Sequence, residues 1–128
     1  MSRARGHVLQ RAFAHYLTAW WPSAESTPNG RPGRDVLGTP GVWWEVKSSL
    51  AGTSPAAVVA QAVKGASEEA KRLLGTDKPG VQCLPVVVYF PPGIGAARPD
   101  RAIAMLPLPE LMQLLVDAGY APAPKEDS

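Results

Sequence analysis

Apolar residues recur at three- and four-residue steps near the start of the chain, at Val8, Leu9, Ala12, Phe13, Tyr16, Leu17 and Trp20. That rhythm describes one stripe of an amphipathic helix over residues 3–20, which Pro22 stops. From Ser23 to Gly33 the rhythm dissolves. Pro28, Asn29, Gly30, Pro32 and Gly33 favour loop and turn, with at most a short edge strand. Residues 35–37 and 42–47 read as two strands joined by Gly38-Thr39-Pro40-Gly41, a composition that fits a tight hairpin. Ser54 and Pro55 have the form of an N-cap and a first-turn proline. Val58, Val59, Ala62, Val63, Ala66, Ala70 and Leu73 then carry a second helix towards Gly75, with Gly65 as a weak helix former in its middle. Residues 84–90, with three consecutive valines, read as a strand buried on both faces and ended by Pro91-Pro92-Gly93. A weaker strand over 101–106 and a last helix over 109–118, closed by Gly119, complete the pattern. The order predicts an α/β fold, a small mixed central sheet flanked by helices.

Composition narrows this picture. With 128 residues, 45% of them hydrophobic, the chain suits one domain over residues 1–120 and a flexible, proline-rich and charged tail over 121–128. No run approaches the roughly 20 apolar residues of a membrane span, and the start lacks the apolar core of a secretory signal. The expectation is a cytoplasmic protein without a membrane partner. Cys83 is the single cysteine, which excludes an internal disulfide and a cysteine-held zinc; at the head of an apolar run it reads as core. Charge is uneven: through Arg34 there are five arginines against Glu25 alone. A basic patch that meets phosphates and a soluble arginine-rich helix face explain this equally well.

Chemistry enters on the second hairpin strand. Side chains alternate between faces, so Val42, Trp44 and Val46 share one face, expected to be core, while Trp43, Glu45 and Lys47 share the other. Asp35, on the paired strand, approaches the same end. Magnesium takes hard oxygen ligands, commonly one or two carboxylates with water and substrate phosphate. Asp35 and Glu45, with the Val46 backbone carbonyl, make such a ligand set for Mg2+ or Mn2+. Lys47 stands where it can orient water or meet the charge that builds on a phosphate.

The stretch from Gly33 to Lys47 resembles the D-x(n)-E-x-K signature of PD-(D/E)XK nucleases. More narrowly, RARGHVLQRAFAHYL, the hairpin and MLPLPELMQLL together resemble Holliday junction resolvase-like proteins of actinobacterial phages. The resemblance implies a restriction-endonuclease-like αβββαβ core and a metal-dependent endonuclease acting on branched DNA. It also implies a homodimer working in the cytoplasm of a bacterial host. It carries the metal-ligand roles onto Asp35 and Glu45 and the catalytic lysine onto Lys47. A residue of the helix after the hairpin, Gln61 or Lys64, takes the further site position. The first helix of the superfamily often carries a glutamate; here Gln10 stands at that place, which weakens the expectation of a second metal.

Candidate DNA contacts are Arg5, His7, Arg11, Arg31, Arg34 and Lys64. His7 and His15, eight residues apart on the first helix, form a surface pair without a third ligand. Trp20 and Trp44 are expected in the core, whereas Trp43 is open to packing or to stacking on unpaired bases. Two other functions fit the same residues. One is a catalytically weak DNA-binding module on a nuclease fold. The other is an interaction protein in which Asp35, Glu45 and Lys47 form a solvated salt bridge.

Overall fold

The computed structural model describes residues 3–28, 34–74 and 83–125. The order of elements is α1 (Arg3–Leu17), β1 (Glu25–Ser26), β2 (Val36–Leu37), β3 (Val42–Lys47), α2 (Pro55–Leu74), β4 (Leu84–Tyr89), β5 (Ile103–Met105) and α3 (Leu108–Asp117), with a 3-10 turn at Pro99–Arg101. The fold is α/β, built on a three-stranded mixed sheet flanked by helices. In that sheet β4 is central, parallel to β3 and antiparallel to β5, and Trp44 lies opposite Val86.

Each face of β4 meets a different helix. Val86, Val88 and Phe90 join Leu9, Phe13, Ala14 and Leu17 of α1 in one cluster, and Val87 joins Val58, Ala62 and Ala66 of α2 in another. Burial on both sides is what three successive valines require. Strand β3 is divided the same way. Trp44 packs edge-on against Phe13, with ring centroids 5.0 Å apart, and Trp43 lies buried under α2. The face of Trp43, Glu45 and Lys47 is thus also core at its Trp43 end.

Helix α1 stops at Leu17, three residues earlier than its apolar rhythm suggests. The Thr18 hydroxyl donates to the His15 carbonyl at 2.6 Å, and the Trp20 and Trp21 N–H groups both donate to the Leu17 carbonyl. Trp20 therefore leaves the stripe and is 60% exposed, not core, touching Tyr16 edge-on. Val8, also read into the stripe, is exposed as well.

The expected hairpin is altered. Strand β2 pairs in antiparallel register with β1, Ser26 opposite Val36, and the β1–β2 pair is a sheet of its own. Towards β3 one ladder-like bond remains, from Asp35 N–H to the Trp44 carbonyl at 3.0 Å. The next donor, Val46 N–H, goes to the Asp35 side chain, so a carboxylate takes the place of the next backbone acceptor. The turn itself is as expected, closed by Val42 N–H on the Thr39 carbonyl. Gly38 has φ +84° there, and a Cβ would stand 2.2 Å from the Ser23 carbonyl oxygen, so no other residue fits.

Ser54 caps α2 as predicted, its hydroxyl accepting from Ala57 N–H at 3.1 Å. The expected close at Gly75 lies outside the described residues. Residues 121–125 carry no regular element, and 126–128 also lie outside the described residues. Gly65 has a packing reason: a Cβ at this position would lie 2.5 Å from Cε2 and Cζ2 of Trp43. Gly65→Ala gains up to about 1 kcal/mol of helix propensity but overpacks the α2–β3 contact at a cost of about 1–3 kcal/mol. A net fall of several degrees in melting temperature is expected. A rise, as in an exposed helix, would contradict this packing.

Candidate active site at the end of strand β3

Asp35 enters β2 with its main chain fixed on both sides: its N–H donates to Trp44 and its carbonyl accepts from Thr27 N–H at 2.9 Å. Its Oδ2 accepts from Val46 N–H at 2.7 Å. Strand geometry turns the Val46 carbonyl to the same edge as the Val46 N–H, facing Asp35 and away from β4. Glu45 is held by one oxygen, Oε1, which accepts from Trp43 Nε1–H at 3.0 Å. Asp35, Glu45 and Lys47 are all half-buried. The second oxygen of each carboxylate has no hydrogen bond among the described residues.

Electrostatics couples the three groups. Burial pushes the Asp35 carboxyl up to about 6; the Val46 N–H works against that, Glu45 pushes the same way as burial, and Lys47 pulls back. No described carboxylate lies within ion-pair distance of the Lys47 ammonium, so Glu45 and Lys47 do not form the solvated salt bridge of the structural alternative.

A hard divalent cation fits this donor set. Among the described residues each carboxylate keeps one oxygen without a hydrogen bond, and the Val46 carbonyl lies on the edge that faces Asp35. The set is small: among the described residues no group of three or more His, Cys, Asp or Glu side chains converges. That leaves coordination positions to water and phosphate, as magnesium sites commonly do.

The remaining candidates are scattered around this centre. Gln10 is bound elsewhere: its Nε2 donates to Ser26 Oγ at 3.0 Å and to the Thr27 carbonyl at 3.1 Å, fastening α1 to the strand that holds Asp35. Arg5 and His7 are half-buried and Arg11 exposed on α1, while Gln61 and Lys64 are exposed on α2. The side chains of Gln61 and Lys64 bond to no other described residue. Arg31 lies outside the described residues.

Arg34 has a different setting from the one expected of a phosphate contact. Its guanidinium pairs with Glu69 of α2 and lies 5.4 Å from the centroid of the Trp43 ring. Glu69 is only 8% exposed and also binds Arg72, at 2.7 Å from Arg72 Nε to Oε1. Sequence reasoning missed Glu69, whose one signal was its place on the α2 stripe one turn after Ala66. Cys83 sits near the pair, half-buried at the edge of the α2 cluster and not in the core as expected; burial holds its thiol up, with Arg34 pulling down and Glu69 pushing up.

No protein family, curated protein or solved structure matches this chain.

Proposed function

We propose that the chain is a divalent-metal-dependent DNA endonuclease of the PD-(D/E)XK type, acting on branched DNA as Holliday junction resolvase-like enzymes do. The observation that carries this reading is the Asp35 carboxylate, clasped on Val46 N–H and raised to about 6 beside Glu45 and Lys47. The order α1, β1, β2, β3, α2, β4 supports it by matching the αβββαβ succession of such enzymes. Asp35, Glu45 and the Val46 carbonyl would hold Mg2+ or Mn2+. When bound, such an ion polarises the phosphate and lowers the pKa of an attacking water. Lys47, without a carboxylate partner among the described residues, offers its charge to the phosphate oxygens, and Arg5, His7, Arg11 and Lys64 supply contacts to the DNA backbone. Arg34 leaves that set, because Glu69 and Trp43 engage its guanidinium.

Labelled four-way junctions, flaps, nicked and blunt duplexes, each incubated with Mg2+ and with EDTA, test the reading. Mg2+-dependent cleavage of a branched species is expected. DNA binding without cleavage on every substrate would instead support the DNA-binding module.

Paired incisions need two active sites, hence a two-fold homodimer. Phe13 cannot contribute to its interface, being 4% exposed inside the α1 cluster. Helix α3 can: none of its residues is buried, and Leu108, Leu111, Met112 and Leu114 are all exposed. Trp20 adds a second exposed apolar surface. In the proposed dimer this exposed surface would pack against a second copy. Light scattering at micromolar concentration should give the mass of a dimer, with and without a four-way junction. A monomer in both conditions would contradict junction resolution and favour a nicking or end-processing nuclease.

A further inference from the structure

We infer that Trp43 is a positioning residue for Glu45, anchored by the Arg34–Glu69 pair. The inference rests on the reading of Glu45 as a metal ligand. Trp43 is buried to 9% exposure, and a buried indole N–H needs an acceptor; here that acceptor is Glu45 Oε1, two residues on along the same strand face. The ring is fixed from two directions. Its Cε2–Cζ2 edge sits against Gly65, where even a methyl group would collide, and the Arg34 guanidinium covers it. Arg34 is held in turn by Glu69, whose other oxygen is closed by Arg72. From Glu69 through Arg34 and Trp43 to Glu45, the interior of α2 thus selects one orientation of a half-buried carboxylate and leaves Oε2 available to a cation.

Groups that orient a metal ligand typically govern metal affinity by 10- to 100-fold, about the effect expected here. Trp43→Phe keeps an aromatic ring between Gly65 and Arg34 and removes the N–H alone. Calorimetric titration with Ca2+ should show binding weakened by roughly 10- to 100-fold. The Mg2+ concentration for half-maximal cleavage should rise in parallel, while cleavage at saturating Mg2+ returns near the wild-type rate. A merely structural role would lower the melting temperature without moving the metal dependence. In wild-type protein labelled with 15N on its tryptophans, the Trp43 indole N–H signal, assigned through contact with the Gly65 α-protons, should shift on Ca2+ addition; this decides the matter if Trp43→Phe does not fold. Wild-type affinity in Trp43→Phe, or a stationary Trp43 signal while the wild type binds Ca2+, would overturn the inference alone. No Ca2+ binding by the wild type would overturn the metal reading itself, and the inference with it.

Discussion

Asp35→Asn and Glu45→Gln should each abolish metal-dependent cleavage and leave the fold intact, and Asp35→Asn should also stabilise the metal-free protein at neutral pH. Each substitution removes one of the two ligand charges while keeping size and a hydrogen-bond acceptor for Val46 or Trp43. The stability effect follows from the Asp35 carboxyl, raised from 3.8 to about 6 on folding. Between those values the folded state binds the proton more tightly than the unfolded chain. The stabilisation tied to that proton is full below about 3.8 and is lost as pH rises through about 6. Ionised Asp35 then costs about 3 kcal/mol at pH 7.5, most of which asparagine avoids. Melting temperature should rise by about 10 °C at pH 7.5, and the gain should vanish near pH 4. An Asp35→Asn protein that melts no higher than wild type at pH 7.5 contradicts the electrostatic description. Cleavage at the wild-type rate by either variant refutes the ligand assignment.

Lys47→Ala should lower the cleavage rate by about 10²- to 10³-fold while DNA affinity changes little. The ammonium has no carboxylate within ion-pair distance among the described residues, so its removal leaves no buried acid unpaired. The loss falls instead on the transition state, where negative charge gathers on the phosphate oxygens. Single-turnover cleavage together with binding of uncut junction in Ca2+ separates the two effects. An unchanged rate with weakened binding would make Lys47 a plain phosphate contact.

Local signals proved legible where one principle acts alone. Ser54 and Pro55 mark the α2 start because capping is a local hydrogen bond, and the valines of β4 mark a central strand because both its faces are covered. Three features were not legible, the first two because they depend on distant partners and the third because local hydrogen bonds end the helix. Trp43 stood open between packing and base stacking, since only the seat of Gly65 against its ring decides the question. Arg34 counted as one more positive charge until Glu69, 35 residues away, engaged it. Trp20 continued an apolar rhythm that the chain abandons at Leu17. In the candidate site, alternation along β3 placed Glu45 and Lys47 on one face correctly. It gave no sign that Asp35 would meet them by accepting the Val46 N–H, a bond that takes the place of the expected hairpin ladder.

The most direct measurement is cleavage of an end-labelled four-way junction by the wild type and by Glu45→Gln, each with Mg2+ and with EDTA. Glu45 and Asp35 as metal ligands predict incision by the wild type in Mg2+ alone, and none by the variant in either condition. Incision that survives EDTA, or that persists in Glu45→Gln, would contradict the account, as would a folded wild type that binds the junction and never cuts it.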